Sequence, residues 1–488
     1  MSTQGERLSR LAGLVDGRLF GPDDPVIVDV THDSRQVGAG SLFVAVRGMV
    51  VDGHGFIDQA MSMGASAVVC EEPIVLSIPH ILVEDARASM AKLAAAVHRQ
   101  PSHDLAVVGV TGTNGKTSVS FILESMLRSV GRMTGLIGTI TTRIGDEQIP
   151  TLRTTPESTD FQRLLREMAN RGAEVVVTEV SSHALRLGRV DETRFAVVGF
   201  TNLSQDHLDF HADMEDYYQS KRMLFDPRFS DVGVICVDDD WGSRLVNDTA
   251  IRVRTVSMGT DADLTAKIVT RSLSGIELMV TFPDSDRRNV VVPLLGDFNA
   301  ENALVAAGCA LELGLSADEI VEGLSQASPA PGRFELVSGE DPIRVIVDYA
   351  HTPDGIGAAI ASVRELSEGT VIAVIGAGGD RDRAKRPLMG ASGSAADVLI
   401  VTSDNPRTED PGAIIGEIMA GVSSTESIAI VDRRTAIEAA VNRAADGDVV
   451  LVLGKGHERS QEIGDRVLPF DDRLVSRTAL AARRGAST

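Results

Sequence analysis

Ala106-Val-Val-Gly-Val-Thr-Gly-Thr-Asn-Gly-Lys-Thr-Ser118 is the stretch on which the reading of this chain turns. Val107, Val108 and Val110 form a β-branched run that predicts a buried strand. Glycines then tighten the turn, Lys116 and Thr117 close it, and Val119 to Val130 predicts a helix. Strand, glycine loop, Lys-Thr and helix in that order outline a phosphate-binding loop. Glycines let backbone N–H groups converge on a polyphosphate, and a helix N-terminus adds partial positive charge. Lys116 is expected to neutralise phosphate oxygens and the Thr117 hydroxyl to reach Mg²⁺. Val110 stands where the strict pattern has glycine, so the match is to a variant, Thr111-Gly-Thr-Asn-Gly-Lys-Thr117. The plainer alternative, a glycine-rich turn with an incidental lysine, does not account for strand, loop and helix falling in the required order.

The rest of the composition bounds what such a loop can serve. A chain of 488 residues is too long for one ordinary domain. A hydrophobic content of 43% with 4% aromatics suits Ala/Val/Leu-rich α/β units. The net charge of −22 argues against nucleic acid as a partner, although an anionic small substrate needs only a local cluster of positive groups. Cys70, Cys236 and Cys309 are scattered, which predicts core filling in a reducing compartment rather than disulfides or a zinc site. No apolar signal core stands near Met1 and no apolar run reaches membrane-spanning length, so a cytoplasmic protein without membrane insertion is expected.

Three α/β units are expected, at residues 1–103, 104–331 and 332–488. In the first, Arg7 to Leu14, Phe56 to Met63 and Ala86 to His98 read as helices. Val26 to Val30, Ser41 to Val46, Ala67 to Cys70 and Ile81 to Val83 read as strands. Gly48 to Gly55 reads as a loop and Pro101 to Asp104 as a linker. In the second unit, near-continuous apolar runs at Val175 to Thr178, Phe195 to Gly199 and Val232 to Cys236 suit strands of a parallel sheet buried on both faces. Thr159 to Arg171 and Phe298 to Leu313 read as helices, and Ile251 to Val292 as a β-rich appendage. Strand–helix alternation restarts after Pro329-Ala-Pro-Gly-Arg333, with strands at Arg344 to Asp348, Val371 to Ile375, Val398 to Thr402, Ile428 to Val431 and Val449 to Leu453. The turns Gly376 to Gly379 and Gly454 to Gly456 follow two of these strands and are candidate site walls.

Two clusters could serve the loop. Glu179 follows an apolar strand and is placed either to hold Mg²⁺ or to cap the next helix. Asn202-Leu-Ser-Gln-Asp-His207-Leu-Asp-Phe-His211 follows another strand and is dense in metal-capable groups, which suggests a second metal or a catalytic pocket. Lys221, further on in a predicted helix, reads on its own as a solvated lysine.

Across nearly its whole length the chain resembles the Mur ligase family, ATP-dependent amino-acid ligases of peptidoglycan precursor synthesis. The resemblance is carried by Asp33-Ser-Arg35, Thr111 to Thr117, Thr154-Thr-Pro156, Glu179-Val-Ser-Ser-His183, Asn202 to Asp209, Asn299 with Asn302, and Gly332-Arg-Phe-Glu335. It continues through Asp348-Tyr-Ala-His-Thr-Pro353, Gly378-Gly-Asp-Arg381, Asp404-Asn-Pro-Arg407 and Gly454-Lys-Gly-His-Glu458. Their shared order is what makes it specific. It implies a small N-terminal α/β domain for a UDP-sugar substrate, a central P-loop parallel-sheet ATPase domain, and a C-terminal Rossmann-like α/β domain for an amino acid.

The resemblance also implies roles. Thr111, Gly112, Thr113, Asn114, Gly115, Lys116, Thr117 and Ser118 would hold ATP, with Asn299, Asn302, Arg333 and Asp348. Lys116, Glu179, His207 and Lys221 would be catalytic. Thr117, Glu179, His207 and Lys221, the last as a carbamate formed with CO₂, would meet Mg²⁺. Ser34, Thr154, Thr155, Ser182 and Arg189 match the positions for the UDP-sugar-dipeptide; Ser34 and Thr155 also suit plain turn and cap work. Leu187 stands where relatives often carry a polar residue. Arg381, Asp404, Asn405, Pro406, Arg407, Gly454 and Glu458 match the pocket for meso-diaminopimelate. An arginine there would take the distal carboxylate bidentately, and a lysine substrate would face it with like charge.

The implied reaction joins meso-diaminopimelate to the D-Glu γ-carboxylate of UDP-N-acetylmuramoyl-L-Ala-D-Glu through an acyl phosphate, by a monomer using ATP and Mg²⁺. The rivals are an L-lysine-adding ligase, which lacks an equivalent of Arg407; a folylpolyglutamate-type ligase, not expected to carry Asp33-Ser-Arg35; and a P-loop nucleotide switch that ligates nothing.

Overall fold

The structure, a computed structural model, describes residues 5–48, 51–149, 153–208, 210–259, 261–272, 274–339, 341–423 and 426–486. Part of the Gly48–Gly55 loop and Asp209 of the Asn202–Asp209 motif lie outside the described residues. Three larger sheets, of five, eleven and six strands, organise the chain in sequence order.

The central sheet is built around the strand Ala106–Thr111. Val175–Glu179 and Val197–Phe200 flank it in parallel, with Glu179 opposite Val110 and Phe200 opposite Thr111. Residues that follow these three strands therefore emerge on one edge of the sheet, where open parallel sheets bind ligands. The helix after the loop runs Lys116–Ser129 and starts earlier than the apolar pattern indicates. Its buried face, Val119, Ile122, Leu123, Met126 and Leu127, shares a core with Ala303, Ala306, Ala307 and Ala310 of the helix Phe298–Glu312. Small alanines let the two helices approach closely.

Two readings of this sheet change. Ile251 to Val292 is not an appendage. Arg252–Ser257 and Leu264–Ser272 continue the ladder in parallel, and Gly275–Thr281 and Arg287–Val292 close it as an antiparallel meander. The alternation that suggested a separate piece buries Leu264, Ala266, Ile276, Leu278 and Val280 in the same core as the phosphate-loop helix. On the opposite side, Thr134–Ile137, Thr142–Ile144 and Glu147–Ile149 add strands that were too short to stand out, joined by a turn with Gly145 at φ +57°.

In the first unit the order is Arg18–Phe20, His80–Leu82, Ala67–Cys70, Ser41–Val44, Asp29–Thr31. The single strand expected at Val26 to Val30 is divided: Val26–Ile27 pairs with Glu6–Arg7, and Asp29–Thr31 with Ser41–Phe43. The Pro101–Asp104 linker is a tight turn with Pro101 and Ser102 buried. Arg166 of the helix Ser158–Asn170 donates to the His98 and Arg99 carbonyls and pairs with Asp104, while Arg163 pairs with Asp29. These bonds fasten the first unit to the second.

The third sheet runs Glu335–Leu336, Arg344–Asp348, Val449–Leu453, Val371–Ile375, Val398–Thr402, Glu426–Ile430, parallel except at its first strand. Val449–Leu453 and Val371–Ile375 are neighbours, so their two glycine-rich turns stand side by side. A hairpin, Ser460–Ile463 with Arg466–Pro469, follows and was not apparent from the sequence pattern. The fully buried pair Arg433–Asp472, at 2.6 Å, ties the C-terminal helix behind these turns. The three cysteines are buried and free, as core filling requires.

Candidate active site

The phosphate loop is held from several sides. Gly115 has φ +85°, and a Cβ there would meet Asn302 Oδ1 at 2.1 Å, so glycine is required for the approach of the Phe298–Glu312 helix. Asn302 donates to Asn299 Oδ1 at 3.0 Å and Asn299 to the Leu295 carbonyl at 2.7 Å. No side chain caps the N-terminus of the Lys116–Ser129 helix, which leaves its first N–H groups for an anion. The Lys116 ammonium donates to the Gly112 and Thr113 carbonyls at 2.9 and 2.8 Å.

Glu179, buried at the end of its strand, does not cap the next helix; Ser181 does. Its carboxylate accepts from the Thr117 hydroxyl at 2.9 Å and from the Thr139 amide and hydroxyl at 2.8 and 2.9 Å. With its one proton given to Glu179, the Thr139 hydroxyl accepts from the Thr154 hydroxyl, 3.1 Å away. From the third unit, Arg333 donates to the Thr117 hydroxyl at 3.2 Å and stacks on Tyr349. Asp348 accepts from the Phe334 and Ala350 amides, both at 2.8 Å, and so anchors the segment that carries Arg333. A chain of polar contacts thus runs from Thr154 through Glu179 and the loop to the third unit.

Lys221 overturns the reading of a solvated lysine. It is 1% exposed, donates to the Gly112 carbonyl at 2.6 Å and lies over the Tyr217 ring. Burial, reinforced by the Lys116 cation, pushes its ammonium well below the usual lysine range. His207 has a left-handed backbone and packs edge-on to His183 at 4.9 Å. Burial holds its imidazole down to about 3, so the ring is neutral at pH 7. Asp206 stands 3.5 Å from His207 and 3.9 Å from both His351 and Lys385 of the third unit. Burial opposes its charge, yet His351, His207 and Lys385 bring its carboxyl to about 2. His351 and Lys385 were missed by sequence reasoning, because nothing in the chain order links them to Asp206.

Among the acceptor-side residues, Thr155 is fully buried, donates to the Glu179 carbonyl at 2.8 Å and accepts from the Ser181 amide. That is the structural work a turn hydroxyl does. Arg189 donates to the Thr155 carbonyl and pairs with Glu157 at 2.9 Å. Ser182 meets His211 at 2.9 Å, and Ser34 donates to Gln59 at 2.9 Å. Leu187 ends the short helix Ser182–Arg186. Ser34 touches none of the phosphate-loop residues; it belongs to the first unit.

The third cluster assembles around a cavity of about 280 Å³. Arg381, Asp404, Asn405, Arg407, Gly454 and Glu458 line it, and so do His207 and Asp206 from the central unit. Pro406 is not among the lining residues; its carbonyl packs against Gly379, where a Cβ would meet it at 1.9 Å. Arg407, with φ +50°, donates to the Gly379 carbonyl at 2.8 Å and pairs with Glu462 of the hairpin at 2.9 Å. Glu458 accepts from Asn405 and from Lys455, each at 2.8 Å. Lys455 sits inside the Gly454–Gly456 turn, and the glycine pattern that identifies the turn carries no sign of its contacts.

Among the described residues no three His, Cys, Asp or Glu side chains form a preformed metal cage. Mg²⁺ does not demand one: it commonly takes one or two carboxylates, substrate phosphates and water. Thr117 and Glu179, bonded to each other at the phosphate loop, are a donor set of that kind.

Three family models match in order: the Mur ligase family catalytic domain over residues 26–102, the Mur ligase middle domain over 110–310, and the Mur ligase glutamate ligase domain over 332–456. The chain belongs to the Mur ligase family. UDP-N-acetylmuramoyl-L-alanyl-D-glutamate–2,6-diaminopimelate ligase of Geobacillus thermodenitrificans is 45% identical over 487 residues, covering 98% of this chain and 99% of that protein. The ligase of the same name from Streptomyces coelicolor is 43% identical over 473 residues, covering 94% and 93%. A solved structure of a ligase with that name superposes with a TM-score of 0.70 at 30% identity, covering 98% and 99%.

Proposed function

We propose that this chain adds meso-2,6-diaminopimelate to the D-Glu γ-carboxylate of UDP-N-acetylmuramoyl-L-Ala-D-Glu at the expense of ATP. The observation that carries the reading is the shared cavity. Arg407, Asn405 and Glu458, a set suited to an ammonium and a carboxylate, open onto the same space as His207 and Asp206 beside the phosphate loop. The arrangement is the one expected if residues 1–103 hold the UDP-sugar, 104–331 the ATP and 332–488 the amino acid.

In this reading ATP lies along Thr111 to Ser118, with Asn299 and Asn302 behind the loop and Arg333 reaching across from the third unit. Lys116 exchanges its two carbonyl partners for phosphate oxygens. A γ-carboxylate oxygen attacks the γ-phosphorus, and ADP leaves. The diaminopimelate amine then attacks the acyl carbon, loses its proton, and phosphate leaves with the original carboxylate oxygen. Lys116, Arg333 and the loop amides balance charge on the transferring group. Thr117, Glu179, His207 and a carbamate on Lys221 would hold Mg²⁺, which supplies further neutralisation of phosphoryl oxygens when bound. A buried lysine whose ammonium is disfavoured presents the neutral amine that CO₂ requires, and the carbamate, once deprotonated, is an anion. Ser34, Thr154, Ser182 and Arg189 are assigned to the UDP-sugar-dipeptide and Thr155 to bracing the turn beneath it. The reading assigns the chain to the cytoplasm as a monomer; no helix among the described residues is long and apolar enough to cross a membrane.

Phosphate release tests the proposal. With ATP and UDP-N-acetylmuramoyl-L-Ala-D-Glu present, release should be fast with meso-diaminopimelate and at background with L-lysine or no amino acid. Equal rates with lysine would favour the lysine-adding ligase. Turnover indifferent to any amino acid would favour a nucleotide switch.

A further inference from the structure

Lys455 has no partner in the reaction just described, yet it is 0% exposed and lies behind the amino-acid cavity. Burying an ammonium is costly unless its protons are matched. Here they are: Nζ donates to Asn405 Oδ1 at 2.9 Å and to Glu458 Oε2 at 2.8 Å, and stands 3.9 Å from Asp404 Oδ1.

These bonds constrain the two polar groups in front of it. Asn405 Oδ1 takes a second proton from the Glu462 amide at 3.0 Å, so its carbonyl oxygen is pinned by two donors. The amide nitrogen is thereby turned to the other side, where it donates to Glu458 Oε2 at 2.8 Å. Glu458 Oε2 thus receives both Lys455 and Asn405, and Oε1 takes part in neither bond. Through Glu462 the same network reaches Arg407, whose guanidinium donates to the Glu462 carboxylate at 2.9 Å. A lysine that touches no ligand therefore sets the orientation of the carboxylate, the amide and, at one remove, the guanidinium that face the cavity.

We propose that Lys455 is a positioning residue of the amino-acid subsite: it spends one oxygen of Glu458 and fixes the Asn405 amide, so that Glu458 offers its other oxygen to the distal ammonium of the incoming diamino acid. This rests on the reading of the cavity as the amino-acid subsite. Lys455 also places one positive charge between the Glu458 and Asp404 carboxylates, 2.8 and 3.9 Å away, which a neutral side chain of the same length cannot supply.

The test is steady-state kinetics of phosphate release on Lys455→Met, Lys455→Gln and Glu458→Gln, each with its unfolding temperature. Lys455→Met should raise KM for meso-diaminopimelate by about tenfold or more, the scale of one lost charged contact. Its kcat and its KM values for ATP and the UDP-substrate should stay near those of the unsubstituted enzyme. Lys455→Gln keeps a donor and should recover part of the loss; it also serves if the methionine variant fails to fold. An unchanged KM for diaminopimelate in folded Lys455→Met or Lys455→Gln would overturn the positioning role. KM values rising alike for all three substrates would overturn it too, since that is the signature of a purely structural lysine. If Glu458→Gln itself binds diaminopimelate normally, the assignment of the subsite fails, and the two failures are told apart.

Discussion

Lys221→Ala is expected to lower ligation by about 10²–10³-fold or more, the scale seen when one group that stabilises charge in a transition state is removed. Formate, acetate or propionate should restore part of the activity. Lys221 is buried against the Gly112 carbonyl, over the Tyr217 ring, one loop away from Lys116. A second ammonium beside the phosphate loop would be opposed by burial and by Lys116. As a carbamate the same side chain becomes an anion, the species a metal-bearing phosphate site can use. Alanine leaves a space behind Gly112 that a small carboxylate can enter. Lys221→Arg, permanently cationic and larger, should be inactive and not rescued. The assay is phosphate release with and without added anion. Full activity in the alanine variant without any anion, or a loss that no short-chain carboxylate relieves, would remove the carbamate from the account.

Arg407→Ala should cost about 2–4 kcal/mol in kcat/KM for meso-diaminopimelate, roughly 30- to 10³-fold, because it strands a substrate carboxylate without its partner. KM for ATP should hardly move, since Arg407 lies in the third unit, away from the phosphate loop. Arg407→Lys should recover little: the guanidinium is held as a planar fork by the Gly379 carbonyl and Glu462, a geometry an ammonium does not reproduce. The preference for diaminopimelate over L-lysine should shrink in both variants. A preference left intact would assign the discrimination elsewhere in the cavity.

The parts of this molecule governed by local pattern were legible in the sequence. Val232–Cys236, Val371–Ile375, Val398–Thr402 and Val449–Leu453 are strands buried on both faces, and their unbroken apolar runs announce them. The phosphate loop was legible because its chemistry needs particular residues in a fixed order. Four things were not. The strands Leu264–Ser272 and Gly275–Thr281 alternate like a free-standing sheet, and only their pairing in space reveals that they extend the central one. Lys221 reads as a surface lysine, because helix periodicity says nothing of the loop that folds over it. The contacts of Asp206 with His351 and Lys385 join residues far apart in the chain, and charge pairing at that range leaves no local trace. Lys455 was hidden because a lysine between two glycines reads as turn surface, and its partner Asn405 lies on another strand's loop.

The claim on which everything else depends is that the phosphate loop serves to activate a carboxylate rather than to hydrolyse ATP. Oxygen transfer tests it most directly. UDP-N-acetylmuramoyl-L-Ala-D-Glu carrying ¹⁸O in both γ-carboxylate oxygens is turned over with ATP and meso-diaminopimelate, and the released phosphate is weighed by mass spectrometry. The account predicts one ¹⁸O in each phosphate and one retained in the new amide. Phosphate free of label, with its fourth oxygen drawn from water, would contradict it.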